Sequence, residues 1–461
     1  MSSDPDWQSL RRALAGDLFT PDSPGYDLAR TPPIPRFQDI RPAAVLRPRS
    51  EADVAAALSF AAATGLATVV RSGGHSFDGL SSTTGLLMDL SSMDDVELEG
   101  DVAAIGAGAR LGKVYDVLDG HGLTIAAGCG PTVGIGGLTL GGGLGILGRA
   151  HGLTCDQLRR ARVVLADGVV ECDEHSEPDL FWAVRGGGSL GVVTRLEMRT
   201  VPCPETTTVH LTWPARATPD LIAAWQHWAP DAPDELAASL LVTAGPDPDR
   251  PPTPHVFGAL QGDGPSADDL LDDLVARVGV APAMRRRRTT SYRTSKERLV
   301  EIGDGFALAA HGSDGARRHG YHKSEYFDRL LPDSAIEAVS DLLTERPPGV
   351  GCELDLMPWG GAYNGVDPGA TAFVHRTDRF LVRYAVSVDP SASTGHRAAA
   401  RDWLDRAWLA LHPHGTGRAY QNFPDSTLDH EQRAYYGDNL DRLEQVRAAY
   451  DPHRLVRSRS G

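Results

Sequence analysis

Lysine is scarce in this chain of 461 residues, cysteine occurs only five times, and no apolar run nears the roughly 20 residues that a bilayer span requires. Each shortage excludes something. Without a long apolar run, no membrane-spanning helix is expected. The cysteines (Cys129, Cys155, Cys172, Cys203 and Cys352) are odd in number and follow no metal-ligand spacing, so neither a disulfide framework nor a metal site is expected. The 45 Lys and Arg are outnumbered by 61 Asp and Glu, giving a formal charge of -16. Phosphate backbones need a basic face, so nucleic acid is not an expected partner. The one basic run, Arg285-Arg286-Arg287-Arg288, reads as a solvated helix or loop surface. Between Met1 and Asp17, Arg11-Arg12 lead into Ala-Leu-Ala-Gly-Asp, too short and too polar for a secretion signal. The expectation is a cytoplasmic protein with no membrane partner.

Glycine, by contrast, is abundant and clustered. Gly73-Gly74-His75-Ser76 follows the apolar run Ala67 to Val70, a denser segment spans Gly134 to Gly145, and a third spans Gly186 to Gly191. Adjacent glycines let a backbone take unusual dihedrals and approach a ligand closely. Three such clusters suggest one extended, phosphate-bearing cofactor wrapped by backbone amides, with His75 facing it.

The chain length favours two domains. From about Pro42 to Val201, short strands alternate with helices. Ser50 caps an amphipathic helix carrying Val54, Leu58 and Ala61; Thr68 to Val70, Leu86 to Leu90, Val102 to Ile105, Arg162 to Leu165 and Val192 to Met198 are strand-like. Prolines around Val201-Pro202-Cys203-Pro204 mark a boundary. Beyond it, strand candidates (Leu211 to Trp213, Ser239 to Thr243, Val256 to Leu260, Phe380 to Val386) are separated by helices at Asp220 to Trp228 and Ala267 to Val278. The fold class expected is α+β: residues 1–204 as one domain, 205–415 as a mixed or antiparallel sheet backed by helices, and 416–461 returning to the first. Trp225 and Trp228 read as core or interface, His311, His319 and His322 as a polar loop without metal geometry, and His375-Arg376 as a structural turn.

Arg71-Ser72-Gly73-Gly74-His75-Ser76-Phe77 and the Gly134 to Gly145 segment resemble the pyrophosphate-binding elements of the vanillyl-alcohol-oxidase-type (PCMH-type) FAD fold. With Gly152-Leu153-Thr154-Cys155-Asp156, Leu180 to Gly188, Gly191-Val192-Val193-Thr194 and the terminal Tyr435-Tyr436-Gly437-Asp438-Asn439, the chain is similar to the berberine bridge enzyme-like oxidases from about Pro42 to Pro452. That resemblance implies an FAD cofactor held by Arg71, Ser72, Gly73, Gly74, His75, Ser76, Gly130, Thr132, Val133, Gly136, Gly137, Leu140, Gly141, Gly142, Gly145, Val192 and Asn422. It also implies a covalent bond from His75 to the flavin 8α-methyl carbon. Many members add a cysteinyl bond. Here Cys129-Gly130-Pro131-Thr132-Val133-Gly134 carries its cysteine one residue early, with Gly130 in its column, and Leu138 stands where histidine is frequent. Both departures favour a single bond through His75. A second bond through Cys129 would need the loop to shift by one residue.

For the chemistry, Tyr420-Gln421-Asn422-Phe423-Pro424-Asp425 resembles the segment whose first tyrosine acts as base, and Asp355 falls in the column of its helper. Alternation along Cys352-Glu353-Leu354-Asp355-Leu356 puts Glu353 and Asp355 on one face of a strand. Glu353 and Arg383 are expected to contact substrate, and loops such as Gly303 to Tyr321 and Gly360 to Gly369 to shape the pocket. Val133 occupies a column where a small side chain admits oxygen. The resemblance implies oxidation of a C–OH, C–N or C–H centre of a small molecule, with O2 as acceptor. A natural-product tailoring role is favoured over a sugar or oligosaccharide oxidase; a non-catalytic flavoprotein that binds a small molecule is the reading of another class.

Overall fold

A computed structural model describes residues 5–262, 266–306 and 318–456 of the chain. Its first sheet is built from β1 (Asp17–Phe19), β2 (Ala44–Arg47), β3 (Thr68–Arg71) and β4 (Leu86–Asp89), in the order β1-β2-β4-β3. The pairs β2–β4 and β3–β4 are parallel. Parallel strands are covered on both faces, which is why Leu86, Leu87, Met88 and Asp89 are all buried. One cover is the helix Glu51–Thr64. Ser50 caps it by accepting from the Asp53 N–H, Val54, Ala57, Leu58 and Ala61 face the sheet, and Gly65 ends it at φ 68°.

The second sheet is antiparallel: β5 (Val96–Glu99), β6 (Val102–Gly106), β8 (Leu158–Leu165), β9 (Gly168–Asp173) and β10 (Val192–Arg199), in the order β5-β6-β10-β8-β9. The short pair β7 (Leu123–Thr124) and β11 (Val201–Pro202) closes this region. Tyr435, Tyr436, Leu443, Val446 and Val456 join the core of these two sheets, so the chain end packs on the first half.

Beyond Pro202 lies a seven-stranded sheet: β12 (Thr206–Thr212), β13 (Leu236–Ala244), β14 (Thr253–Gln261), β15 (Met284–Thr290), β16 (His319–Phe327), β17 (Gly351–Pro358) and β18 (Phe380–Val388), in the order β15-β12-β14-β13-β17-β18-β16. Every neighbouring pair is antiparallel, so of the two expected forms the mixed sheet does not occur. Leu240, Val242, Leu354, Leu356, Val382 and Tyr384 share a core with Leu221, Trp225, Leu271, Ile336 and Trp403 from the helices on one face. Trp225 is core, its indole N–H donating to the Ala238 carbonyl at 2.9 Å. The opposite face carries Glu353, Asp355, Arg383 and His322.

Two expectations fail here. The arginine run is edge strand β15, not a helix or loop; Arg285 and Arg287 reach Asp268 of the helix Ala267–Val278. His319 and His322 lie on strand β16 rather than in a loop. Residues 307–317 of the Gly303 to Tyr321 stretch, His311 among them, lie outside the described residues. His375-Arg376 is structural as expected: Arg376 holds Asp156 through two nitrogens at 2.7 and 2.8 Å.

Candidate active site

A cleft of about 380 Å³ lies between the loop after β3, the glycine segment and the stretch Tyr420 to Pro424. Its shape follows from glycine. Gly73 and Gly134 meet backbone to backbone, so that a Cβ on either would overlap the other residue's amide nitrogen. Gly74, at φ 77°, would also press a Cβ onto Pro33 at 2.8 Å. Ser72 Oγ donates to the Ala107 carbonyl at 2.6 Å, and Ile135 N–H donates to the Ala109 carbonyl at 2.9 Å, tying both segments to the end of β6. A Cβ on Gly137 would meet nothing within 4 Å. Backbone amides therefore border the cleft where side chains would otherwise stand.

Of the residues assigned to the cofactor, Ser72, Gly73, Gly74, His75, Ser76, Val133, Gly137, Leu140, Gly141 and Asn422 line this cleft. Arg71, Gly130, Thr132, Gly136, Gly142, Gly145 and Val192 do not. Arg71 is buried beneath the loop, where its guanidinium donates to the carbonyls of Ala29, Arg30 and Ser81. Burial lowers its pKa to about 10. It shapes the loop rather than touching what the loop holds. Gly136 is spent on packing against Ala107, Gly145 against Ala127, and Gly142 against Phe373; Val192 sits in the core. Thr132 is exposed, and Gly130 packs on Val133.

Tyr420 lies on the cleft wall, fully buried. Its hydroxyl oxygen accepts from the Gly143 N–H at 3.0 Å and from Asn422 Nδ2 at 3.1 Å. Burial pushes its pKa up to about 12; those two donors work in the other direction. Asn422 also donates to the Leu138 carbonyl at 2.9 Å, and Gln421 to the Tyr435 carbonyl at 3.0 Å, so two consecutive side chains of this stretch stitch the chain end to the glycine segment.

The expected pairing of Asp355 with Tyr420 is replaced by another. Asp355 and Arg383 are cross-strand partners on β17 and β18. Arg383 Nη2 stands 3.1 Å from Asp355 Oδ2 and 3.4 Å from Glu353 Oε2, while Asp355 Oδ1 is buried with no hydrogen-bond partner. Burial raises the Asp355 pKa, with Arg383 opposing. Burial lowers that of Arg383, but the two carboxylates outweigh it and the net shift is upward. None of the three lines the cleft. Arg383 lies over the outer face of the Phe423 ring, 5.8 Å from its centroid, and Phe77 stacks on His322 at 4.3 Å. Burial, then Arg383 and Arg36, hold His322 well below the ordinary imidazole range. Phe77 and Phe423 thus stand between the cleft and the polar sheet face. Phe77, Leu80, Leu144, Gly188, Ser189, Phe423, Tyr436 and Val456 also line the cleft without having been assigned. Phe423 and Gly188 fell inside motifs that could have flagged them; Leu80 and Val456 carry no sequence signal.

Cys129 lines a different cavity, with Cys203 and Lys296, on the far side of its loop.

The glycine-bordered cleft fits a dinucleotide: its polar edge is backbone, and among the described residues no lysine or arginine lines it. Comparison with known proteins agrees. Residues 42–173 match the family described as "FAD binding domain", and 419–461 the one described as "Berberine and berberine like". The uncharacterised FAD-linked oxidoreductase YgaK of Bacillus subtilis is 31% identical, over 96% of each chain. A chitooligosaccharide oxidase of Gibberella zeae is 32% identical over 90% of this chain and 86% of its own. Among solved structures, that of the glucooligosaccharide oxidase from Acremonium strictum, a protein with a 6-S-cysteinyl, 8α-N1-histidyl FAD, superposes with a TM-score of 0.84 at 26% identity, covering 97% of each chain. The chain belongs to the berberine bridge enzyme-like FAD-linked oxidoreductases, a family of PCMH-type flavoproteins.

Proposed function

We propose that this enzyme is an oxidase carrying FAD on His75 alone, and that it oxidises a C–OH, C–N or C–H centre of a small, largely apolar molecule with O2 as acceptor. The observation that carries the substrate class is the cleft wall. Phe77 and Phe423 make its edge toward the sheet aromatic, with His322 stacked on Phe77 and Arg383 5.8 Å from the Phe423 ring centroid. A tailoring step on an apolar natural product suits such a wall.

Ser72 to Ser76, Gly137 and Gly141 would hold the cofactor, and His75 would tether it. Bound FAD supplies a hydride acceptor. Among the described residues lining the cleft, the titratable side chains are His75, Tyr420 and Tyr436. With His75 committed to the tether, and Tyr436 beside Gly188 with its hydroxyl 3.5 Å from where that glycine's Cβ would be, Tyr420 is the base in this reading. The donors Gly143 N–H and Asn422 Nδ2 stabilise its phenolate, as a proton acceptor at that oxygen needs. Glu353, Asp355 and Arg383 act as a second layer that fixes Phe423 and the sheet face. Val133 leaves room for oxygen. Cys129 faces away from the cleft, which supports a single covalent bond.

Oligosaccharide oxidation is the second reading, favoured by the relatives named for it. One experiment separates the readings. The purified holoenzyme is denatured in acid to see whether flavin stays with the polypeptide, in wild type and His75→Ala. Peroxide release is then compared for apolar alcohols and amines and for chito- and glucooligosaccharides. Retention in wild type with loss in the variant supports the tether, and loss from both sinks it. Turnover of the sugars alone overturns the apolar assignment. Flavin content without peroxide from any substrate would favour a non-catalytic binding protein.

A further inference from the structure

The chain has three lysines: Lys113, Lys296 and Lys323. Two have carboxylate partners, Lys113 with Asp94 at 2.8 Å and Lys323 with Asp425 at 3.0 Å. Lys296 has none. It sits on the helix Tyr292–Phe306, is 5% exposed, and its Nζ makes no hydrogen bond. What Nζ meets is the face of Tyr115, 3.0 Å from the ring centroid, with Tyr292 one helical turn away at 5.1 Å. It lines a cavity of about 360 Å³ whose inner wall also includes Leu123, Thr124, Pro131 and Val300.

An ammonium group in such a place is costly, because no carboxylate among the described residues pairs with it to offset its lost hydration. The nearby thiols do not help: burial raises the pKa of Cys129, and that of Cys203 to about 11, so both stay protonated at neutral pH. Burial accordingly lowers the Lys296 pKa to about 7. The amine is then a nucleophile at neutral pH. The rim is acidic. Asp116, Asp119 and Glu297 stand there against one cation, Arg293, which is already paired with Asp116 at 2.7 Å. An anionic ligand is repelled at this mouth, whereas a neutral one passes.

We propose that this cavity is a second small-molecule site, separate from the flavin cleft, in which Lys296 captures a neutral apolar aldehyde as an imine. The Nζ lone pair attacks the carbonyl carbon. The two amine protons leave with the carbonyl oxygen as water, so one C=O is exchanged for one C=N. No electrons change hands, and water reverses the step.

The test uses holoenzyme, benzaldehyde and cyanoborohydride near neutral pH, with adducts located by peptide mass mapping. An amine with a pKa of about 7 holds on the order of a thousandfold more free base at neutral pH than an unperturbed lysine side chain does. Labelling of Lys296 at least about tenfold faster than of Lys113 is therefore expected. Glyoxylate, an anionic aldehyde, should label it more slowly than benzaldehyde does. Lys296→Met should lose the adduct while keeping flavin absorbance. If that variant does not fold, the pH dependence of wild-type labelling decides: half-maximal near neutrality for Lys296 supports the site. Labelling of Lys113 at an equal or greater rate, or faster labelling by glyoxylate, overturns it.

Discussion

Arg383→Met would leave two buried carboxyl groups facing each other without their cation. Arg383 lies 3.1 Å from Asp355 and 3.4 Å from Glu353; Glu353 and Arg383 are buried, and Asp355 is nearly so, with its side chain 14% exposed. Breaking one side of a buried ion cluster costs about 3–5 kcal/mol, because the remaining charges lose their compensation. The size of the loss should depend on pH, and its sign is fixed by Asp355. Burial already raises that carboxyl's pKa, and Arg383 opposes the rise. Without Arg383, the folded protein holds the proton more tightly still. A carboxyl that binds its proton more strongly when folded stabilises the fold below its unfolded value, and that contribution is lost as pH rises through the folded one. The variant should therefore lose most stability at neutral pH and much less near pH ~4, where an unfolded carboxyl is about half protonated and a folded one raised above that value is mostly so. Urea unfolding of the holoenzyme, followed by tryptophan fluorescence at both pH values, measures this. Adding Glu353→Gln and Asp355→Asn to Arg383→Met should recover most of the neutral-pH loss. A loss equal at both pH values, or no recovery in the triple variant, would refute the claim that Arg383 is held there to compensate buried charge.

Tyr420→Phe should slow flavin reduction by substrate roughly 10²–10⁴-fold in stopped-flow traces, with flavin content unchanged. Cys129→Ser should leave the acid-stable flavin fraction at its wild-type level, since this thiol belongs to the Lys296 cavity. Gly141→Ala should yield protein depleted in flavin, because its Cβ would overlap the Asn422 side-chain amide and push that residue off Leu138; absorbance of the purified protein reads the outcome. Val133→Leu should slow reoxidation by O2 without changing reduction by substrate.

The parts of this protein that were legible in its sequence are those where one residue type has one physical use. Gly73-Gly74 announces a loop because φ 77° at Gly74 suits only glycine. Ser50 announces a helix start because its hydroxyl caps Asp53. The Ala267–Val278 helix was visible to its last residue, since Leu271, Leu274 and Val278 mark its buried face and Gly279 ends it at φ 70°. Strands whose two faces serve different masters were harder. In β15 the arginines look like a solvated run, yet the strand exists because β12 pairs with it and Asp268 and Asp272 meet Arg285. Strand β16 mixes His, Lys, Ser and Glu with aromatics because one face meets helices and the other Phe77.

The candidate site divides along the same line. Alternation correctly put Glu353 and Asp355 on one face, but strand alternation says nothing of register. The register that sets Asp355 opposite Arg383 is a property of β17 and β18 together. This single fact moves Asp355 from helper of Tyr420 to partner of a buried arginine. In the proposed reading the carboxylates, an obvious sign of polar substrate recognition in the sequence, become the support behind an aromatic wall. On that reading, substrate preference depends on Phe423, which lines the cleft and whose ring centroid lies 5.8 Å from the Arg383 guanidinium. A polar substrate would need that ring to move aside and Arg383 to loosen its hold on two carboxylates. An apolar substrate needs neither, and this balance is why the proposal favours the apolar one.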